Sequence, residues 1–157
     1  MSNVIDQERF TKEFFDILEE TFESHHGIYL DRNTALFETL ETINDTEASR
    51  SVGGKCATLA AQVAHVNFYL EVLERYLLTN DTGDVDWGEI WRTVQGVSPD
   101  EWVALQQNLK QTYQRVNTLL RSFQSWDNET SIGGALAIVV HTAYHLGEIR
   151  QALCTLQ

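Results

Sequence analysis

The stretch IGGALAIVVHTAYHLG, residues 132–147, decides the fold of this 157-residue chain. It carries no charged side chain other than its two histidines, and its spacing predicts a helix over residues 132–155. A helix that is apolar on nearly every face lies in the centre of a protein or against another subunit. Gly133, Gly134 and Gly147 each lower helix stability by roughly 1 kcal/mol in an interior position. We therefore expect a neighbouring backbone to approach this helix closely.

Two histidines on this helix, His141 and His145, are spaced four residues apart. Side chains at this spacing project from one face, with Cβ atoms about 6 Å apart. Two such imidazoles can bind one metal ion, each at about 2.0–2.1 Å. The motif HTAYH lacks the glutamate that follows the first histidine in the zinc-peptidase motif HExxH. The spacing therefore indicates a metal site but disfavours a peptidase of that type.

A second long helix is predicted over residues 55–79, where apolar side chains recur three and four positions apart. They are Leu59, Val63, Val66, Leu70, Leu73 and Leu77. This spacing is typical of the packing seam of a helical bundle. His65 lies on the neighbouring stripe, and bundle cofactor sites are built from side chains on facing helices. His65 is therefore the third candidate ligand, and a three-histidine site keeps positions open, as catalytic sites do.

The three histidines also have a purely structural interpretation, as core side chains hydrogen-bonded to carbonyls or hydroxyls. The pair on the apolar helix favours a metal, because two buried imidazoles without a shared ligand would need separate partners. Periodicity leaves open whether His65 reaches His141 and His145.

Three further side chains have two interpretations each. Glu148 lies one turn beyond His145, where it either orients a ligand histidine or pairs with Arg150. Tyr69 and Tyr144 either line a pocket beside the metal or belong to the core. No catalytic residue can be assigned from these patterns.

The rest of the chain is also predicted to be helical. Apolar periodicity indicates helices over residues 6–24, 34–43, 87–94 and 98–126. The clearest start signal is Ser98-Pro99-Asp100-Glu101, which combines an N-cap, a proline at the first helical position and a glutamate at the third. Residues 44–54 are predicted to be a loop. We expect an all-α fold, a four-helix bundle with a long connection after the first helix, as one domain over residues 1–157.

Composition restricts the partners of the chain. Its formal net charge of −12 disfavours binding to nucleic acids and to anionic membranes. The most apolar stretch, residues 132–140, is too short to span a bilayer, and residues 1–10 lack the pattern of a signal peptide. Cys56 and Cys154 form no recognisable disulfide pattern, so we expect a cytoplasmic protein in a reducing compartment. Each cysteine is nine residues from a candidate ligand, so on a continuous helix both would face away from the metal.

The sequence resembles the DinB-like family of metal-dependent enzymes. The resemblance lies in ATLAAQVAHVNFYLEVLERYL at residues 57–77, HTAYHLGEIRQAL at residues 141–153 and YLDRNTALFETLETINDTEASRSV at residues 29–52. It implies a DinB-like four-helix bundle with a divalent metal, zinc or nickel, on His65, His141 and His145. It also implies a homodimer.

The resemblance further implies a small-molecule substrate, and in some members a low-molecular-weight thiol that is transferred to an electrophile. A thiol-dependent S-transferase is therefore the leading functional hypothesis. A metal-dependent hydrolase would use water at the same site. A non-catalytic dimeric module that binds a metal or a small ligand is the third hypothesis.

Overall fold

The computed structural model describes residues 6–81 and 83–157. Residues 1–5, half of the stretch on which the signal-peptide expectation rests, lie outside this description. The described residues form helices and no strand, which confirms the all-α prediction. The helices are α1 (Gln7–Phe22), α2 (Leu36–Leu40), α3 (Asp45–Ala48), α4 (Leu59–Thr79), α5 (Glu89–Thr93), α6 (Pro99–Arg121) and α7 (Glu129–Leu156).

The long helices begin at the polar side chains that cap them. Before α6, the Ser98 side chain accepts a hydrogen bond from the Glu101 backbone N–H, and the Glu101 carboxylate accepts one from the Ser98 N–H. This capping box satisfies two backbone donors that the helix itself leaves unpaired. Asp6 caps α1 in the predicted place. Helix α7 begins earlier than predicted, since Asn128 caps it by accepting from the Ser131 N–H at 2.8 Å.

Several helix boundaries differ from the predictions, and two of them differ because local caps were not recognised. Helix α4 begins at Leu59 rather than at residue 55, because the Thr58 hydroxyl accepts from the Ala61 N–H. Residues 44–54 are not entirely a loop, since Asn44 and Glu47 form a capping box that starts the short helix α3. Both corrections concern residues close to the candidate site.

Helix α4 is central, with α6 and α7 packed along it and α1 packed against α7. Aromatic side chains connect α1 to α6, as the rings of Phe22 and Tyr113 stack with centroids 4.4 Å apart. The core contains fully buried residues from each long helix, among them Leu18, Leu70, Leu109 and Ile138. Burial of such side chains, each worth roughly 1.5–3 kcal/mol, holds α4 and α7 in the arrangement that positions the histidines.

At one of the three glycines of α7 a neighbouring side chain, rather than the expected backbone, approaches closely. A Cβ atom at Gly134 would lie 2.7 Å from Cδ2 of Leu77, so a glycine here lets α4 pack tightly against α7. A Cβ atom at Gly133 or Gly147 would meet no atom of the described residues within 4 Å. The expectation is therefore wrong for these two glycines, which face open space.

Helix α7 is longer than the apolar stretch considered in the sequence. Its 28 residues include an 18-residue window of mean hydropathy 1.2, so by length and composition alone it could cross a bilayer. The central helix of a globular protein passes the same test, and α7 packs against α1 and α4. Packing thus accounts for part of its apolar character, since 39% of this window is buried.

Candidate metal centre

The structure brings together the three histidines predicted as ligands, from the middle of α4 and of α7. Nε2 of His65 lies 3.1 Å from Nε2 of His141. One ring nitrogen from each of His65, His141 and His145 lies within 4.8 Å of the others. His65 and His145 are buried, with 7% and 6% of their surface exposed, and His141 is half-buried. Three nitrogens this close can bind a single ion.

His145 is oriented by two acceptors on its Nδ1 side. Nδ1 lies 2.6 Å from Oε1 of Gln62 and 2.9 Å from Oε2 of Glu148. A neutral imidazole has one N–H, so two acceptors at Nδ1 place the proton there and leave the Nε2 lone pair for a metal. Glu148 therefore contacts a candidate ligand, whereas Arg150 donates to the Thr39 hydroxyl at 3.2 Å.

Gln62 was not predicted as a site residue. The sequence feature that could have indicated Gln62 is its position one turn before His65, where it is a polar residue in an otherwise apolar run. Whether the Gln62 amide reaches His145 depends on how α4 and α7 cross, and helical spacing does not determine that crossing.

Aromatic rings hold the other two histidines. The indole of Trp91, on α5, lies over His65 with ring centroids 4.3 Å apart. The phenol ring of Tyr69 stacks on His141 at 3.5 Å and an interplanar angle of 9°. Nδ1 of each of these histidines is buried and, within the described part of the chain, has no hydrogen-bond partner. Packing against aromatic rings therefore replaces the hydrogen bonds that fix His145.

All three imidazoles favour the neutral form. Burial is the main cause, and together with the proximity of His145 it lowers the pKa of His65 to about 4 and that of His141 to about 3. Burial also lowers the pKa of His145, although the Glu148 carboxylate opposes that shift. Metal ligation requires unprotonated imidazoles, so the cluster is in its metal-binding form at neutral pH.

A cavity of about 630 Å³ opens beside His145. Its polar lining includes Ser51, Lys55, Cys56, Gln62, Tyr144 and Glu148. Tyr144 thus lines a pocket beside the histidines, in agreement with one of its two interpretations. A cavity of this size accommodates a small molecule.

The expectation that Cys56 faces away from the site is wrong. Cys56 does not belong to the helix of His65, because it precedes α4 in an irregular segment, and it lines the same cavity as His145. Cys154 is an exposed residue near the end of α7.

The donor set fits a divalent transition metal. Imidazole nitrogens suit zinc, nickel and copper, whereas calcium and magnesium prefer oxygen ligands. The two buried Nδ1 atoms without partners leave the Nε2 atoms of His65 and His141 facing each other. A metal between these nitrogens would satisfy lone pairs that otherwise compete for one proton.

No protein-family model, no curated protein and no solved structure matches the chain. The resemblance to DinB-like enzymes therefore stays a prediction based on the sequence stretches quoted above.

Proposed function

We propose that the chain is a metal-dependent enzyme that holds zinc or nickel on His65, His141 and His145. In this proposal α1, α4, α6 and α7 form a DinB-like four-helix bundle. The observation that carries it is the convergence of three neutral imidazoles from two helices within 4.8 Å, beside a cavity of about 630 Å³. Three protein ligands leave at least one position for a substrate.

We further propose a thiol-dependent S-transferase, a choice that rests on the DinB-like resemblance. A divalent metal at this site would supply a positive charge that lowers the pKa of a bound thiol or water. Gln62 and Glu148 would keep His145 in the Nδ1–H form, and Trp91 and Tyr69 would shield the other two rings from water. The cavity beside His145 would admit the electrophile.

Metal content is the first measurement. Protein purified without an affinity tag is analysed for transition metals beside a triple variant, His65→Ala, His141→Ala and His145→Ala. The double variant His25→Ala, His26→Ala is the matched control, because it removes the chain's two remaining histidines. We expect about one metal per chain in the wild type and control and none in the triple variant. Absence of metal from the wild type after reconstitution with zinc and nickel would refute the proposal.

Activity assays then separate the three functional hypotheses. Cysteine and glutathione are tested with a chlorinated nitroaromatic electrophile, and a panel of esters and amides tests hydrolysis. Metal-dependent thiol conjugation supports the S-transferase. Hydrolysis without conjugation favours the hydrolase, and metal binding with neither activity favours a non-catalytic module.

We also propose that the chain forms a homodimer through the outer face of α7. Leu136 and Val140 are 44% and 67% exposed, and residues 130–147 contain no acidic or basic side chain apart from the two histidines. On a chain of net charge −12, an uncharged apolar face suits a second copy, because two-fold symmetry places the two faces against each other without bringing charges together.

A further inference from the structure

The cavity beside His145 continues into a second cavity of about 550 Å³. The two share five lining residues, which are Cys56, Ala57, Gln62, Tyr144 and Glu148. We call the combined depression the α7 groove. Its first part extends to Lys55 and Trp91, and its second part extends to Gly147 and Ala152. The groove therefore runs past His145 along the C-terminal half of α7.

The two ends of the groove differ in chemistry. The end beside Trp91 has polar lining residues that include Ser51, Lys55 and Gln95. The other end adds the small apolar surfaces of Val52, Gly147 and Ala152, beside the polar side chains of Gln151 and Thr155. A ligand that fills both ends would have a polar group at one end and an aliphatic segment at the other.

Gly147 has no packing role among residues 6–81 and 83–157. Glycine lowers helix propensity more than any residue except proline, and Gly147 lies in the interior of α7. Gly134 is required by the contact with Leu77, but a Cβ atom at Gly147 would meet nothing within 4 Å. The space above Gly147 belongs to the groove, so any larger side chain there would occupy part of it.

Lys55 is the one lysine or arginine in the lining of the groove and can bind an anionic group. Lys55 has no ion-pair partner among residues 6–81 and 83–157. The one carboxylate in the lining, Glu148, already accepts hydrogen bonds from His145 and Tyr144. The Lys55 ammonium is thus available to an anionic group placed beside His145.

We propose that the α7 groove binds a carboxylate with an aliphatic chain, its carboxylate near Lys55 and its chain over Gly147. Gly147 is then the residue that determines which chain lengths fit. This inference names a substrate class for the proposed enzyme and so rests on the proposed function. Its test uses metal-free protein, so that it stands or fails separately from the metal centre.

The probes are octanoate and butyrate, titrated calorimetrically into chelator-treated protein. Full burial of the four additional methylenes would strengthen binding about two-hundredfold. In a groove open on one side, we expect octanoate to bind at least tenfold more tightly than butyrate. Octylamine, with the opposite charge, should bind at least tenfold more weakly than octanoate, and Lys55→Gln should remove this preference.

Gly147→Leu is the decisive variant, and Gly133→Leu is its control because Gly133 also faces open space on α7 but outside the groove. We expect Gly147→Leu to weaken octanoate binding at least tenfold and Gly133→Leu to leave it unchanged. Gly147→Ala guards against misfolding, since it should raise the melting temperature through helix propensity while weakening octanoate binding severalfold.

Equal affinities for octanoate and butyrate, or octanoate binding that Gly147→Leu leaves intact, would overturn the inference. Zinc binding is measured on separate samples of the same preparations, which are reconstituted with zinc after the chelator is removed. Zinc binding without selective octanoate binding refutes the groove ligand and leaves the metal centre standing. Selective octanoate binding without zinc supports the groove and refutes the metal centre.

Discussion

Nε2 of His65 faces Nε2 of His141 across 3.1 Å, although the two residues are 76 positions apart in the chain. Both rings are neutral at pH 7 because burial lowers the pKa of each. At this distance one of the two nitrogens must donate a proton or both must share a positive ion. Protonation of this pair therefore makes the stability of the metal-free protein depend on pH. In the proposed metal-bound protein, the same two nitrogens would bind the ion.

The metal-free protein should lose stability as the pH falls from 7 to 5. In the unfolded chain these histidines titrate near 6.5, whereas the folded pKa values of His65 and His141 are about 4 and 3. The unfolded state therefore binds more protons over this interval, so acid favours unfolding. The free energy of unfolding should fall by up to about 1.4 kcal/mol per pH unit for each such histidine.

Urea denaturation at half-unit pH steps in the presence of a chelator measures this slope. His141→Gln should reduce the slope by one proton, while the His25→Ala, His26→Ala control should retain it. A flat profile between pH 7 and 5 would mean that the histidines are not buried in the neutral form.

Loss of the Glu148 carboxylate should weaken metal binding. Glu148→Ala removes an acceptor at 2.9 Å from Nδ1 of His145, and loss of such orienting groups typically lowers metal affinity about 10–100-fold. Zinc affinity is measured by competition with a chromophoric chelator. Glu129→Ala, at the exposed start of the same helix, is the control and should bind zinc like the wild type. An unchanged affinity in Glu148→Ala would assign the orienting role to Gln62 alone.

Nickel binding should quench the fluorescence of Trp91. Its indole lies 4.3 Å from the His65 ring, close enough for strong quenching by a paramagnetic ion. We expect Trp91→Phe to lose most of the nickel-induced quenching. Trp126→Phe is the control, because Trp126 packs against Phe10 and Phe14 of α1, and it should keep the response. Equal quenching in both variants would contradict a nickel site at His65.

The Glu20 carboxylate should be a major stabilising group outside the site. It is fully buried and accepts backbone hydrogen bonds from the four residues 26–29 at 2.8–3.1 Å. Burial by itself raises the pKa of Glu20, but these donors outweigh it and the net shift is downward. Glu20→Gln places an amide N–H₂ among N–H donors and should cost about 2–3 kcal/mol.

Thermal and urea denaturation at pH 7 measure this loss, with Glu13→Gln on the exposed face of α1 as the control. Because the folded pKa of Glu20 is lowered, its contribution is present above pH 4.5 and lost as the pH falls below it. A Glu20→Gln variant as stable as the control would show that the loop of residues 26–29 does not depend on this carboxylate.

Val140→Asp should convert the proposed homodimer to a monomer. The substitution introduces a charge into the uncharged outer face of α7, where it would meet its own copy across a two-fold axis. Light scattering after gel filtration measures the mass. Val103→Asp, at an exposed apolar position on α6, is the control and should not change it. A wild-type mass of a single chain would refute the dimer.

Much of the helical framework follows from the sequence. The Ser98–Glu101 capping box fixes the start of α6, and apolar side chains three and four positions apart mark the buried sides of α4 and α7. These are local signals, because a cap involves neighbouring residues and helical periodicity places residues on a face. The same periodicity put His141 and His145 on one side of α7.

Only the tertiary structure decided which residues from other helices surround His141 and His145. Three contacts depend on how α4, α5 and α7 cross. They are the contact of His65 with His141, that of Gln62 with His145, and that of the Trp91 indole with the His65 ring. Cys56 lines the cavity because the Thr58 cap starts α4 later than its periodicity suggested. Helical spacing predicts the direction in which a side chain projects from its own helix axis. The distance between two helix axes is instead set by side-chain packing, as at Gly134 and Leu77.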